Sequence, residues 1–491
     1  MLRVLATVAL AAAAQAPTDT TIVAFTDVTV VPMDRQRLLE RHTVLVRGDR
    51  IEAVGPADSV RVPARATRVD GRGKFLMPGI AEMHAHLPGE QNPAVVEIMA
   101  LYALTGATTI RGMNGTPFQH ELRRRIAAGE ILGPTIFAVA PPFSGQSVSG
   151  PDDARRKVRE YKAAGYDVLK IYPGIPVETY DAIARTAREV GIPYAGHVPP
   201  EVGLRHAIEE RQSVEHLDGY LEASRGEDAA IAELVRATRA AGIWNAPTMD
   251  VWKTILGTRS VDELRRRPEL AYLPPNVTEQ WAQQTAEFAR GSFWRAALEQ
   301  LGMRQSPEQI VLLRDRILQA LHRVGARLLL GADSPQVFSV PGFSLAHEMR
   351  AMVQAGVPTY AVLEAATKNP AAFFGREAEF GTVEAGKRAD LILLEGNPLE
   401  DIRNVHRQAG VMVRGRWLPK SDIDRRLAEI KAKWRDSDGA RRSDGPTPSG
   451  RLALWPSGRP YSPHVPRRSP PFSRAASRRA RSRRRHGRSY P

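Results

Sequence analysis

The chain has 491 residues, 43% apolar and 25% charged, an ordinary balance for a globular enzyme built from one large domain and a smaller one. Its net charge of +15 does not signal nucleic-acid binding, because the stretch from Arg441 onward holds 14 arginines and a single acid, Asp444, and so carries +13 of the total. The absence of cysteine excludes disulfides, thiolate metal sites and a Cys nucleophile.

Met1-Leu2-Arg3, the apolar stretch Val4 to Ala14 and the Ala14-Gln15-Ala16 site describe a signal peptide over residues 1–16, too short for a stable membrane anchor. Pro17 makes cleavage after Ala16 awkward and favours an end nearer Ala14. The mature protein is expected to be exported, periplasmic or secreted, with no membrane span. From residues 19 to 76, period-two runs such as Ile22-Val23-Ala24-Phe25 and Val28-Thr29-Val30-Val31, with turns at Arg47-Gly48-Asp49 and Asp70-Gly71, predict a small antiparallel β unit. The same texture returns at residues 380–420, so both ends are expected to pair into one β-sandwich. Between them, at residues 77–379, strand-length apolar runs alternate with amphipathic helical stretches. The runs lie at 75–83, 108–112, 135–140, 168–172, 194–197, 213–216, 243–247 and 327–331. This α/β pattern predicts a (β/α)8 TIM-like barrel with its active site at the C-terminal strand ends. Residues 248–323 form a long helical excursion whose Trp252, Trp281 and Trp294 either cap the site or pack the core. A helix over 421–435 follows. The Arg/Pro/Ser-rich remainder, 436–491, lacks the periodicity to bury a core and is expected to be a disordered appendage.

Five segments each place a metal ligand at or just after an apolar run: Met83-His84-Ala85-His86, Leu169-Lys170-Ile171, Gly196-His197-Val198, Glu215-His216-Leu217 and Ala332-Asp333-Ser334. Strand periodicity puts His84 and His86 on one face, where two imidazoles can grip one ion. Taken singly, His197 or His216 reads as an ordinary hydrogen-bonded histidine and Asp333 as a helix cap. Lys170 stands out, because an ammonium inside an apolar strand is costly unless something pairs with it. Spacing joins the segments: Lys170 to His197 is 27 residues and His197 to His216 is 19, each about one strand-helix step, and the 117 residues to Asp333 hold another strand plus the excursion. The set predicts a metal site at one end of the barrel.

These residues, with Met77-Pro78-Gly79-Ile80, Ala365-Ala366-Thr367-Lys368-Asn369-Pro370-Ala371 and Gly381-Thr382-Val383-Glu384-Ala385-Gly386-Lys387-Arg388-Ala389-Asp390-Leu391, resemble the amidohydrolase superfamily. The likeness is to its imidazolonepropionase-like and Xaa-Pro dipeptidase-like branch, over roughly Thr20 to Ile430. The resemblance implies a binuclear centre. His84 and His86 would hold the more buried metal with Asp333, an N-carboxylated Lys170 would bridge, and His197 and His216 would bind the second ion. Mononuclear members such as deaminases lack that lysine. Zinc suits these ligands first, with cobalt, manganese or iron feasible.

The expected chemistry is hydrolysis of a C–N amide bond in a dipeptide-like or N-acyl amino acid substrate, by attack of a hydroxide shared by two divalent ions. Asp333 would serve as base and then acid. Phosphotriester or lactone hydrolysis on the same centre and a mononuclear deaminase are the alternatives. Arg111 and Asn114, after the second strand, are candidates to hold a substrate carboxylate, and Tyr220 to polarise the carbonyl, each set against a structural salt bridge or packing role. His347 and Glu348 are placed for an outer hydrogen bond to the ligands. The partner expected is a small-molecule substrate, with no nucleic acid; a homo-oligomer is compatible with the sequence.

Overall fold

The computed structural model describes residues 21–291, 299 and 302–443, with side chains to residue 435. The expected signal peptide, Trp294 and the tail beyond residue 443 lie outside the described residues.

An eight-stranded sheet joins the two halves of the chain. It takes β1 (Ile22–Val30), β2 (Leu39–Arg47), β3 (Arg50–Pro56), β4 (Thr67–Asp70) and β5 (Phe75–Pro78) from the first half. It takes β14 (Leu391–Leu394), β15 (Gln408–Val413) and β16 (Arg416–Pro419) from the second. The expected pairing of the two ends is present: β14 runs antiparallel to β5, Leu391 facing Pro78 and Leu394 facing Phe75. The pairing is one continuous sheet rather than two stacked ones, in the order β16-β15-β14-β5-β1-β2-β3 with β4 beside β1. That sheet curls strongly. Four strand spacings would separate β16 from β1 by roughly 19 Å if it were flat, yet the Phe25 and Trp417 rings meet edge to face at 5.0 Å. Phe25, Val44, Val46, Leu391, Leu393 and Met412 fill the enclosed face.

Eight further strands run parallel in two more sheets. β6 (Ile80–Ala85), β7 (Ala107–Gly112) and β8 (Thr135–Ala138) form one. β9 (Leu169–Ile171), β10 (Tyr194–Gly196), β11 (Ser213–Glu215), β12 (Trp244–Ala246) and β13 (Arg327–Leu328) form the other. The two sheets adjoin at both edges. Val139 bridges to Val168 and Phe143 to Ile171 on one side, and Ala85 bridges to Ser334 on the other. There Met83 N–H also donates to the Leu330 carbonyl at 2.9 Å. A buried cluster of Val139, Val168, Ala195, Ala246 and Leu329 lies among these strands. Val168 and Ala195 stand two residues before Lys170 and His197, so the period of two sends both ligand candidates to the cluster's side.

The sequence expectation of one strand over residues 75–83 is corrected at Gly79. There the chain leaves the curled sheet as β5 and enters the parallel one as β6, with Gly79 N–H donating to the Asp390 carbonyl at 2.8 Å. A Cβ at Gly79 would lie 2.1 Å from Thr108 Oγ1, so only glycine lets β7 approach at this crossover.

The excursion contains helices Met249–Ile255, Val261–Arg265, Pro275–Ala289 and Pro307–Arg323. Its aromatics pack: Trp281 is buried with its ring 6.1 Å from Phe338, and the Arg314 guanidinium lies 4.5 Å over Trp252. The final helix is longer than expected, Lys420–Ser443, so the start of the stretch read as disordered is helical. Its Ile423, Ile430 and Trp434 are buried. Among the described residues no helix is long and apolar enough to cross a membrane.

Candidate metal centre

His84 leaves the end of β6 fully buried, with its Nδ1 2.7 Å from Glu215 Oε2. That contact turns Nε2 towards Asp333, 3.6 Å from Oδ1, while His86 Nε2 lies 3.0 Å from the same oxygen. Donor atoms of His84, His86 and Asp333 all lie within 4.8 Å of one another. Lys170, fully buried on β9, brings Nζ to 3.5 Å from His84 Nε2. His216 joins from the end of β11, its ring centroid 4.5 Å from that of His84 and its Nδ1 3.7 Å from Asp333 Oδ2. His197 stacks on His216 at 4.8 Å between centroids. The structure therefore brings all six sequence-derived ligand candidates to one place.

Local backbone supports that convergence at a cost. His216, Thr248 and Asp333 have φ of 61°, 48° and 57°, a left-handed conformation uncommon outside glycine. Such strain is typical of sites whose side chains must point in a fixed direction. Gly196 has the complementary role, since a Cβ there would stand 2.2 Å from the Ile171 carbonyl oxygen and push His197 away from β9.

Outer contacts fix the rings. Glu215 orients His84, Asp218 Oδ2 lies 2.7 Å from His197 Nδ1, and Thr248 Oγ1 lies 2.8 Å from His216 Nδ1. One ring nitrogen engaged by an oxygen is the usual way a ligating imidazole is held in orientation. Glu348 supports Thr248 indirectly, its two oxygens accepting from the Met249 and Asp250 N–H groups at 2.8 and 2.7 Å. Glu82 ties the two ligand segments together, Oε1 accepting from His84 N–H at 2.8 Å and Ala332 N–H at 2.9 Å. Sequence reasoning missed the roles of Glu82, Glu215, Asp218 and Thr248. Glu82 alone gave a usable signal, an acid inside an apolar strand like the lysine in β9.

The electrostatics follow from burial. It holds the His84 and His216 imidazoles well below their ordinary range, neutral as a metal ligand must be. It pushes the Lys170 amine down to about 8, against the pull of Glu215 and Asp333. Burial would raise Asp333, but the His84 and His86 rings beside it hold its carboxyl well below the usual carboxylate range.

Three substrate-contact expectations are corrected. Arg111 is fully buried and bound within the protein, Nε donating to the Met83 carbonyl and Nη2 to Glu215 Oε1, both at 2.6 Å. It neutralises the acid that orients His84 and does not reach a substrate. Asn114 spends its amide on the backbone of Leu87, accepting from N–H at 2.9 Å and donating to C=O at 2.7 Å. Tyr220 is a core residue, its hydroxyl 2.6 Å from Thr238 Oγ1 and 3.1 Å from Asn245 Oδ1. His347 is not an outer contact of the ligands either, since it pairs with Glu269 at 2.7 Å.

The amidohydrolase family model matches residues 75–418 of this chain. The chain belongs to the amidohydrolase family. As a member it is a hydrolase, and six ligand candidates, carried on strands or on the segments that follow them, meet at one point and suit the family's use of divalent metals. Among its relatives, ochratoxinase of Aspergillus niger is 26% identical over 450 residues, covering 76% of this chain and 81% of that protein. Imidazolonepropionase of Sphingopyxis alaskensis is 25% identical over 385 residues, covering 74% and 89%. An adenine deaminase of a Ruegeria species is 22% identical over 78% of this chain, which spans only 55% of that relative's length. Of solved structures, bottromycin amidohydrolase superposes with a TM-score of 0.65 at 26% identity, covering 83% of this chain and 90% of that one. A Xaa-Pro dipeptidase with bound methionine has a TM-score of 0.61 at 19% identity, with 81% and 100% covered, a likeness of fold alone.

Proposed function

We propose that this amidohydrolase cleaves the C–N amide bond of a dipeptide-like or N-acyl amino acid substrate at a two-metal centre, on a parallel-stranded scaffold that acts as one (β/α)8 barrel. The observation that carries the reading is a fully buried lysine, Lys170, standing 3.5 Å from the ligand-type His84, with four further ligand-type groups gathered around them. The residues present fit divalent cations, because burial keeps the His84 and His216 imidazoles neutral, their Nδ1 atoms are oriented by oxygens of Glu215 and Thr248, and Asp333 supplies an anionic oxygen beside His84 and His86.

His84, His86 and Asp333 would hold one ion, and His197 and His216 the other. Lys170 would join them as a carbamate: its neutral amine adds to carbon dioxide and releases one proton, so a buried cation becomes an anion with two donor oxygens. An amine whose pKa burial has lowered to about 8 has a usable neutral fraction near neutral pH. When bound, divalent cations supply the lowered pKa of an attacking water and the polarisation of a carbonyl. Asp333 starts ionised, accepts the proton of the attacking water and delivers it to the leaving nitrogen.

The substrate class is tested by initial rates over a panel of N-acyl amino acids and dipeptides beside a paraoxon-like triester, simple lactones and amino-substituted purines. The expected result is turnover of the amides at least tenfold above the rest. Preference for triester or lactone, or ammonia release from a purine, would overturn the amide assignment.

A further inference from the structure

Tyr172 follows Lys170 by two residues at the C-terminal end of β9, and the proposed mechanism gives it no role. Its ring lies 5.0 Å from that of His197, centroid to centroid, and Lys170 Nζ lies 5.2 Å from its centroid. Its backbone is fixed by a 2.8 Å bond from Tyr172 N–H to the Phe143 carbonyl. The residue is partly exposed at the strand end, where its neighbours Lys170 and Ile171 are fully buried. Its hydroxyl makes no hydrogen bond among the described residues, unlike those of Tyr102, Tyr194 and Tyr220, which all have protein partners. A phenol with no acceptor among the described residues, partly exposed beside the ligand cluster, is placed to meet a substrate oxygen.

We propose that Tyr172 is a catalytic residue that donates a hydrogen bond to the oxygen of the scissile carbonyl as negative charge develops on it. The inference rests on the reading of the centre as one that hydrolyses a carbonyl substrate. It does not depend on that substrate being an amide. It also replaces Tyr220, which the fold places in the core, as the tyrosine acting on the carbonyl. Preorganised donors aimed at a developing oxyanion act on the transition state more than on bound substrate, so the effect belongs in kcat.

Tyr172→Phe isolates the hydroxyl, since the ring and its contacts with His197 and Lys170 are retained. The holoenzyme variant is compared with wild type on whichever carbonyl substrate of the panel wild type hydrolyses, with metal content and unfolding temperature measured on the same preparations. The expected result is a kcat lower by about 100-fold or more, KM within about threefold, and unchanged metal content and unfolding temperature. A kcat within threefold of wild type overturns the proposal while leaving the centre's function standing. So does a rise in KM alone, or a loss of metal that accounts for the loss of activity. If wild type hydrolyses no carbonyl compound, the reading of the centre falls and this inference falls with it.

Discussion

Glu215 shows how single residues set the chemistry of the centre. One of its oxygens lies 2.7 Å from His84 Nδ1 and the other accepts from Arg111, so a buried acid joins a cation to a ligand. Glu215→Gln keeps the shape and removes the charge that orients His84 and raises its basicity. Loss of such an outer partner lowers metal affinity by about 10- to 100-fold, which competition with a chromogenic chelator would register. Wild-type affinity in the variant would mean that the contact does not tune the ligand. Arg111 is necessary to this arrangement because a carboxylate buried beside a neutral imidazole needs a cation nearby.

At the scale of elements, two junctions hold the scaffold. Gly79 lets β5 pass into β6 against Thr108, and Gly79→Ala overpacks that crossover. The expected destabilisation is about 1–3 kcal/mol, read by urea denaturation and largely relieved by adding Thr108→Ala; equal stability of Gly79→Ala and wild type would remove the steric argument. The second junction is the 3-10 turn Ile402–His406, which packs near the helix Ser344–Gln354. Burial there pushes the His406 imidazole down to about 4, helped by Arg350 and His347 and opposed by Glu269. The unfolded chain binds that proton at about 6.5, so stability is fully present above 6.5 and is lost as pH falls through the window down to about 4. The loss assigned to this ring is at most about 3 kcal/mol. His406→Phe is therefore expected to flatten the fall in unfolding free energy between pH 7 and 4.5. An identical fall in both proteins would show that His406 does not contribute.

Over the whole molecule, what the sequence made legible followed the backbone period. Ligands two residues beyond buried apolar positions were readable because a strand repeats every two residues, and Lys170 was readable because a charge in an apolar strand needs a partner. Glu215 and Asp218 were not readable as ring-orienting groups: Glu215 meets His84 across 131 residues of chain, and no local pattern encodes such a contact. Arg111 was misplaced for a related reason. All six residues of β7 are buried, so alternation gave no inward or outward face by which to judge it. The curl that brings Phe25 to Trp417 is likewise a property of the assembled sheet rather than of either end. The central claim is that Lys170 joins two ions in one centre. Its most direct test is the number of metal ions per chain, measured by plasma mass spectrometry on wild type and Lys170→Ala purified side by side with bicarbonate present. Two ions in wild type and one or fewer in the variant is the expected result; a single ion in wild type, or two retained without the lysine, would contradict it.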